Sequence, residues 1–318
     1  CRGHLGKELM KKFNLNDKNQ PQTYAIGIKE LWEIDEKNHK PGQILHTTGW
    51  PLKSDTYGGS FLYHFGSNQV SIGFVIGLDY QNPYLSPYDE FQRFKHHNEI
   101  KKYLKGGRRI SYGARALNEG GYQSIPKLTF PGGLFVGCEA GFLNVPKIKG
   151  THLAMKSGML AAEAIFEKID DEKEIKLYEK KVKESWLSQE LYSVRNIRPS
   201  FKWGFWKAII YSAIDTYLFR GKAPWTIKHE GTDHKSLKEK HHFSPINYPK
   251  PDGIISFDKL TNLSFSGTNH EENQPCHLTL LNKNTPTEIN LEKFDNPETR
   301  YCPAGVYEII KTNGNPAL

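Results

Sequence analysis

A cysteine followed by proline, in "RYCPAGVYE" from Arg300 to Glu308, is the first place in this sequence where metal chemistry suggests itself. In iron–sulfur ligand runs a cysteine thiolate holds iron and a following proline turns the backbone around the cluster. A cluster takes four ligands and the chain has four cysteines, but the spacing of Cys1, Cys138, Cys276 and Cys302 matches no metal motif. Cys302 is therefore either a buried structural thiol, the commoner fate of a lone Cys-Pro, or one ligand whose three partners are missing.

Two adjacent glycines stand between a tyrosine and an apolar run in "TYGGSFLYH", residues 56–64. The simpler interpretation is a β-bulge or a tight turn. The functional alternative is that Gly58 and Gly59 leave their backbone carbonyls uncovered within an aromatic wall. Such a wall suits a hydrophobic ring that carries one or two polar oxygens.

Residues 136–165 read as the end of a strand, a glycine-bearing loop and a helix that begins at Thr151. Gly137, Gly141 and Gly150 permit close backbone approach to a ligand, and the helix dipole favours electron-rich groups at its start. Such loops are also common connectors in α/β folds, so both interpretations stay open. The sequence has no first-strand G-x-G-x-x-G, so any dinucleotide site here is half a site.

The stretch from Lys202 to Gly221 places apolar side chains on one arc of a helical wheel: Trp203, Trp206, Ile209, Ile210, Ala213, Ile214 and Tyr217. A helix that faces a protein core would show the same arc. Tryptophans flanked by lysine and arginine favour a helix that lies in a membrane interface. No stretch of about 20 apolar residues predicts a helix that crosses a bilayer.

The 43 Lys and Arg against 35 Asp and Glu leave a net charge of +8, which suits an anionic membrane surface or an acidic protein partner and does not by itself indicate nucleic acid. Four scattered cysteines form no disulfide framework and favour a reducing compartment. The chain starts without methionine, so we expect a fragment or a processed piece. No Ser–His–Asp set and no metal-spaced histidines are evident, so no catalytic residue is assigned.

Helices and strands must position these candidate groups. The pattern predicts a helix over 5–14, a strand from residue 24, a hairpin formed by "SFLYHF" and "VSIGFVIG", and a helix near Phe91. It further predicts a buried strand in "GGLFVGC", a helix entered at Thr151 and a second helix from Ile175 to Tyr192. Pro-Asp-Gly turns and short apolar runs predict a separate small domain in the last ~75 residues.

Taken in order, these stretches resemble the electron-transfer flavoprotein–ubiquinone oxidoreductase family. The resemblance rests on long motifs across nearly the whole chain: "PQTYAIGIKELWEIDEKN", "TYGGSFLYH", "YGARALNEGGYQSIPKLTFPGG", "GFLNVPKIKGTHLAMKSGMLAAE", "SGTNHEENQPCHLTL" and "RYCPAGVYE".

The resemblance implies an α+β chain: an FAD-dependent oxidoreductase fold of glutathione-reductase type, with an inserted antiparallel-sheet quinone domain and a small ferredoxin-like cluster domain. It implies the bounds 1–20 and 118–195 for the FAD domain, 21–117 for the ubiquinone domain, 196–240 for a membrane-surface region and 241–318 for part of the iron–sulfur domain. The activity implied is electron transfer from reduced electron-transfer flavoprotein through FAD and one [4Fe–4S] cluster to ubiquinone. The enzyme would be monotopic, on the matrix side of the mitochondrial inner membrane or on a bacterial inner membrane.

Residue by residue, the resemblance implies that Gly58 and Gly59 offer carbonyls to the quinone. FAD would lie near Gly137, Gly141, Asn144 and Thr151, and Cys302 would be a cluster ligand with Tyr307 as a hydrogen-bonding neighbour. The membrane contacts implied are Trp203, Phe205, Trp206, Ile209 and Ile210.

The sequence departs from the family pattern in three places. Cys138 follows Gly137 where many relatives carry an acid, and neither the first FAD motif nor the C-x2-C-x2-C run of the cluster falls within residues 1–318. We therefore expect a fragment of that enzyme. Two rival interpretations are a soluble FAD-dependent monooxygenase or dehydrogenase with the tryptophan helix buried, and a non-catalytic membrane-surface remnant.

Overall fold

The computed structural model of the chain describes residues 3, 5–168, 170, 173–229, 231–275, 280–312 and 315–318. The strands are β1 Tyr24–Glu33, β2 Ile44–Thr48, β3 Gly58–Phe65, β4 Gln69–Gly77, β5 Arg108–Asn118, β6 Thr129–Phe130, β7 Gly133–Leu134, β8 Ile310–Thr312 and β9 Asn315–Ala317. The helices are α1 Leu5–Lys12, α2 Pro87–Lys95, α3 Asn98–Leu104, α4 Thr151–Lys168, α5 Leu177–Glu184, α6 Trp186–Ser193, α7 Ile197–Ser200, α8 Phe205–Ala213, α9 Lys259–Leu263, α10 Glu292–Phe294 and α11 Glu298–Tyr301. This α+β composition agrees with the coarse fold class predicted above.

A five-stranded antiparallel sheet in the order β2-β3-β4-β1-β5 forms the centre of the first half. The predicted hairpin is confirmed as β3 and β4, which pair from Gly58↔Ile76 to Phe65↔Gln69. Along β3 the even-numbered residues are buried and the odd-numbered ones are more exposed. Period-two burial is expected of a sheet with one face on a core.

Helix α2 covers the buried face of this sheet. Ser86 starts the helix, because its side chain accepts a hydrogen bond from the Asp89 backbone N–H, and Pro87 occupies the first turn. The buried rings of Tyr88, Phe91 and Phe94 then pack into the same core as Ile72 and Phe74 of β4. The helix predicted near Phe91 is therefore confirmed.

A second core lies between α4, α5, α6 and the segment from Leu128 to Phe142. The helix predicted at Thr151 is confirmed, whereas the helix predicted over 175–192 is two helices. Ser185 has extended dihedrals (φ −83°, ψ 160°) and separates α5 from α6. The strand predicted in "GGLFVGC" is also shorter than expected: β7 ends at Leu134, and Gly137 has a φ of 57° that only glycine adopts at low cost.

The final segment shares the core of the five-stranded sheet. Ile255 is buried in that core and Phe257 packs against it. Asn262 of α9 donates hydrogen bonds to Glu30 of β1 and to Tyr88 of α2, at 2.8 and 2.7 Å. The packing of residues 255–262 thus fixes the C-terminal region against β1 and α2.

Candidate functional site

Gly58 and Gly59 occupy regular positions in β3, opposite Ile76 and Val75 of β4. A Cβ on Gly58 would lie 2.4 Å from Leu52 Cδ1 and 2.5 Å from the Val75 carbonyl oxygen, and one on Gly59 would lie 2.5 Å from the Thr47 carbonyl oxygen. Close approach of neighbouring strands therefore requires both glycines. The bulge or tight turn considered from the sequence does not occur at these residues.

The Gly58 carbonyl already has one partner, because the Thr48 hydroxyl donates a hydrogen bond to it at 3.0 Å. A carbonyl oxygen has two lone pairs, so one acceptor position remains. A carbonyl cannot donate to the oxygen of a quinone. It can accept from the hydroxyl of the reduced quinol, so this group suits the reduced form of such a ring.

The loop before β3 packs against the start of α8. The Phe205 backbone N–H donates to the Ser54 carbonyl at 2.8 Å, and a Cβ on Gly49 would lie 3.3 Å from the Phe205 ring. The ring of Tyr57 stands edge-on to Phe201 with centroids 4.7 Å apart. The tryptophan-rich segment and the glycine strand are therefore neighbours in space.

The predicted interfacial segment has an exposed apolar face. Trp206 is 72% and Ile210 63% exposed, and Trp203 and Ile209 are exposed as well. Phe205 is half-buried. The helical segment is less regular than the wheel assumed: Gly204 (φ 89°) precedes α8, and a π-helical turn, Ile214–Leu218, follows it. In the described residues, no helix is both long and apolar enough to cross a membrane.

The loop after β7 has its own internal contacts. The Gly137 N–H donates to the Ser157 hydroxyl at 2.9 Å, and a Cβ at Gly137 would lie 3.1 Å from Ala154 Cβ. Gly141 has a φ of 86°, in the left-handed region. Packing on α4 thus accounts for Gly137, and the left-handed backbone accounts for Gly141, without a ligand.

Asn144 is fully buried and its side chain is engaged. Its Nδ2 donates to Glu190 at 2.7 Å, and its Oδ1 accepts from the Lys147 backbone N–H at 3.2 Å. Glu190 also accepts hydrogen bonds from Lys147 Nζ and the His152 ring. Partial burial raises the pKa of Glu190, but these hydrogen bonds together lower it below the ordinary value. Thr151, the first residue of α4, is exposed, as is Lys147 earlier in the loop, whereas Asn144 is not.

Two contacts join the loop to the sheet. Lys149 Nζ donates to the Tyr63 hydroxyl of β3 at 2.7 Å, and the Asn118 side chain of β5 donates to the Glu139 carbonyl at 3.4 Å. The structure thereby brings the predicted flavin loop against the sheet that carries Gly58 and Gly59.

Cys302 follows α11 and is 7% exposed. The Tyr112 hydroxyl of β5 donates to the Pro303 carbonyl at 2.8 Å, which fixes this turn to the sheet. Cys302 and Tyr307 line a cavity of about 1,290 Å³ that also reaches Tyr24 and Ala116 of the sheet. Burial raises the pKa of the Tyr307 hydroxyl, with further contributions from Cys302 and Glu298.

Among the described residues, Cys302 is the only predicted cluster ligand. Within those residues no group of three His, Cys, Asp or Glu side chains is arranged to hold a metal. Cys138 is a free, half-buried thiol in the loop after β7. Cys1 and Cys276 lie outside the described residues.

Sequence reasoning missed two buried charge clusters. In the first, Lys95 Nζ lies 2.9 Å from both carboxylate oxygens of Glu30, and neither side chain is exposed. In the second, Arg198 lies between Asp79 and Glu119. Their members are 40 to more than 100 positions apart, so no local spacing signals them.

Comparison with known families and proteins accords with this arrangement. The family model described as "ETF-QO, ubiquinone-binding" matches residues 24–117, which hold all five strands of the sheet. The model described as "Electron transfer flavoprotein-ubiquinone oxidoreductase, 4Fe-4S" matches residues 253–317, which include Cys302.

Curated relatives align along nearly the whole chain. The proteins named "Electron transfer flavoprotein-ubiquinone oxidoreductase, mitochondrial" from Sus scrofa and Homo sapiens are each 59% identical over 322 aligned residues, covering 98% of this chain and 52% of the relative. The chain therefore spans about half the length of these relatives.

Among solved structures, the flavin-dependent brominase Bmp2 aligns with a TM-score of 0.45 and 16% identity over 67% of this chain and 54% of that chain, a likeness too weak to argue from. The two matched domains and the identity across the chain carry the assignment: the chain belongs to the electron transfer flavoprotein–ubiquinone oxidoreductase family.

Proposed function

We propose that the protein carrying this chain is an electron-transferring-flavoprotein dehydrogenase. It would take electrons from reduced electron-transfer flavoprotein and pass them through FAD and a [4Fe–4S] cluster to ubiquinone. The observation that carries the proposal is the match of residues 24–117 to a ubiquinone-binding model on the sheet that holds Gly58 and Gly59. The second match, around Cys302, supports the cluster.

The quinone would bind beside β3, next to the loop that packs on α8. The free lone pair of the Gly58 carbonyl would accept a hydrogen bond from the head group once it carries a hydroxyl. An interaction made only with the reduced form favours quinol over quinone, so this carbonyl would assist reduction.

FAD would be held by the loop from Gly137 to Asn144 and by the exposed first turn of α4 at Thr151. Backbone N–H groups at a helix start suit electron-rich groups. The Asn144 side chain is occupied by Glu190, so its contribution would be to fix the loop. The proposal includes the glutathione-reductase-like fold for this part, with bounds 1–20 and 118–195, and the bounds 21–117, 196–240 and 241–318 for the other parts.

Cys302 fits one position of a cluster, because it is a buried thiol that lines the same cavity as Tyr307. When bound, flavin and cluster would supply the two-electron and one-electron carriers, and the chain would set their spacing and surroundings. The proposed domain is ferredoxin-like, and Tyr307 would lie next to the ligand.

The exposed apolar face of α8, together with Trp203, supports a monotopic membrane contact. A membrane contact beside β3 would give an insoluble quinone a direct entry to its strand. The names of the relatives support a mitochondrial location, for which we propose the matrix side of the inner membrane.

The test uses the natural full-length protein with reduced electron-transfer flavoprotein as donor and ubiquinone-1 as acceptor. We expect ubiquinol to form, and we expect Thr48→Val to lower the inhibition constant of ubiquinol by roughly fivefold, the worth of about one hydrogen bond. The reason is that the Thr48 hydroxyl and the head group would share one carbonyl oxygen, and an oxygen that has lost the Thr48 donor is the better acceptor for the head group.

Thr47→Val is the matched control, since the Thr47 hydroxyl pairs with Ser60 instead. It should leave the inhibition constant unchanged. Absence of ubiquinol formation would refute the proposed activity, and equal constants in the two variants would refute the role of the Gly58 carbonyl.

A further inference from the structure

The Lys259 side chain lies against the turn that carries Cys302 and contacts it on both sides. Lys259 Nζ donates a hydrogen bond at 3.1 Å to the carbonyl of Thr299, in the helix α11 that leads into Cys302. After Cys302, a Cβ on Gly305 would lie 3.3 Å from Lys259 Cδ, so the lysine stem packs on the Gly305 backbone. Helix α9, which begins at Lys259, therefore places an ammonium group at this turn.

The hydrogen bond to Thr299 fixes how far the ammonium is from the predicted ligand. Thr299 and Cys302 are three positions apart along a helical turn, which corresponds to a rise of roughly 5 Å. Because Nζ lies 3.1 Å from the Thr299 carbonyl oxygen, the charge stands within roughly 8 Å of the Cys302 backbone. A unit charge at this distance acts through space, so no direct bond between Nζ and the sulfur is required.

The Lys259 ammonium has no carboxylate partner in the part of the chain that the structure describes. Its hydrogen bond there goes to a neutral carbonyl. Burial lowers the pKa of Lys259, Asp89 and an ionised Cys302 sulfur raise it, and Arg300 lowers it. Arg300 is itself paired with Asp295, which offsets its charge. Lys259 therefore faces Cys302 as a positive charge that no ion pair neutralises.

A cation in this position would act on a cluster through the net charge of the cluster. Residues 253–317, which match the 4Fe-4S model, contain both Lys259 and Cys302. One-electron reduction makes a cluster more negative by one unit. A nearby cation therefore stabilises the reduced form more than the oxidised form, and this raises the reduction potential.

We propose that Lys259 raises the reduction potential of the cluster bound at Cys302 by holding an unpaired ammonium against the turn. The inference rests on the proposed function. Lys259 would touch neither the electron donor nor the quinone, and it would act only through the charge of the cluster. A cluster of higher potential accepts an electron from the flavin more readily.

The experiment is a redox titration of the natural full-length protein with its cofactors, in which EPR spectroscopy follows the reduced cluster. Lys259→Met keeps the stem and removes the charge. It should lower the potential by about 59 mV, which is a tenfold change in the ratio of reduced to oxidised cluster. A unit charge at roughly 8 Å changes this ratio by about thirtyfold at an effective dielectric constant of 20, and the partial exposure of Lys259 reduces the effect.

Three further variants separate charge from local packing. Lys259→Arg keeps the charge and should keep the potential. Tyr112→Phe removes a neutral hydrogen bond from the same turn, the one to the Pro303 carbonyl, and should shift the potential less than Lys259→Met does. Lys240→Met is the matched control: Lys240 is also half-buried and donates to a main-chain carbonyl, that of Leu291 at 3.2 Å, but Leu291 lies outside the Cys302 turn, so the potential should not change.

Equal potentials in Lys259→Met and the unmodified protein would overturn the inference, and so would an equal shift in Lys259→Arg and Lys259→Met. Should Lys259→Met fail to fold, Lys259→Gln decides the matter, because glutamine keeps a donor for the Thr299 carbonyl without the charge; an unchanged potential in this variant would also overturn the inference. A natural full-length protein that shows no four-iron signal would instead overturn the proposed function.

Discussion

Replacement of Lys95 by methionine tests whether the buried ion pair with Glu30 holds the C-terminal segment on the sheet. Glu30 accepts four hydrogen bonds: two from Lys95 Nζ at 2.9 Å, one from Trp32 Nε1 at 2.8 Å and one from Asn262 Nδ2 at 2.8 Å. Lys95→Met removes the two charged bonds and leaves a fully buried carboxylate with two neutral donors.

Breaking a buried pair from one side costs about 3–5 kcal/mol, because the remaining charge is uncompensated. Burial lowers the pKa of Lys95 and Glu30 raises it, so the ammonium depends on that carboxylate in turn. The double variant Lys95→Met with Glu30→Gln removes both charges and keeps an acceptor for Trp32 and Asn262. It should recover roughly 2 kcal/mol or more of the loss.

The assay is urea unfolding of the unmodified chain, the two single variants and the double variant, read as a double-mutant cycle. Lys102→Met serves as the control, because Lys102 pairs with Glu99 at the surface and its loss should not shift the midpoint measurably. The reasoning is refuted if Lys95→Met costs less than about 1 kcal/mol, or if the double variant is no more stable than Lys95→Met.

Three further predictions concern the cluster, the membrane and acid stability. Cys302→Ser should lower the iron content of the natural full-length protein, measured by chemical analysis, whereas Cys138→Ser should keep it; equal iron in both would contradict the ligand role. Trp206→Asp should reduce binding to anionic liposomes, read as flotation, by roughly tenfold or more, because burial of a large apolar side chain contributes about 1.5–3 kcal/mol and each 1.4 kcal/mol is a factor of ten. Phe166→Asp, at a residue 90% exposed on α4, should float normally, and a variant at Trp206 that floats equally well would contradict membrane contact. The Asp252 carboxylate should stabilise the fold at pH values above its unfolded pKa of about 3.8, and this contribution should be lost as the pH falls below that value. Partial burial raises the folded pKa of Asp252, but hydrogen bonds from three backbone N–H groups at 2.8–2.9 Å outweigh burial and lower it. Asp252→Asn should therefore flatten the acid side of a plot of stability against pH, and an unchanged slope would contradict this.

The elements whose periodicity is local were predictable from the sequence. Tyr24, Ile26 and Ile28 alternate as the strand requires, and Ser86-Pro87 marks the start of α2. The apolar arc of α8 was also readable, and its exposure agrees with the prediction of an unburied face.

Three features were not readable, each for a physical reason. The break at Ser185 was not readable because the helical pattern of the sequence continues across it, whereas Ser185 takes extended dihedrals in the structure. The requirement for glycine at 58 and 59 depends on Leu52, Thr47 and Val75, which lie on neighbouring chain segments.

The buried charge group of Asp79, Glu119 and Arg198 forms from three segments that are distant in the sequence. Only the folded chain brings these charges together, so single-sequence patterns carry no trace of their proximity.

Strand β5 touches both predicted cofactor regions, through Tyr112 at the Cys302 turn and Asn118 at the loop after β7. The two residues are six steps apart along the strand, and at ~3.3 Å per step their backbones lie roughly 20 Å apart. The register shift opposite Leu31 and Trp32 lies outside this interval, so the interval is an unbroken ladder on β1.

Because the rise per residue of a strand is nearly constant, the distance between these two contacts is set by the number of residues between them. A substitution between Tyr112 and Asn118 changes side chains and leaves that count intact. An inserted or deleted residue moves one contact by a whole rise and turns the intervening side chains to the opposite face. During evolution, residues between Tyr112 and Asn118 can therefore be substituted far more readily than residues can be inserted or deleted there.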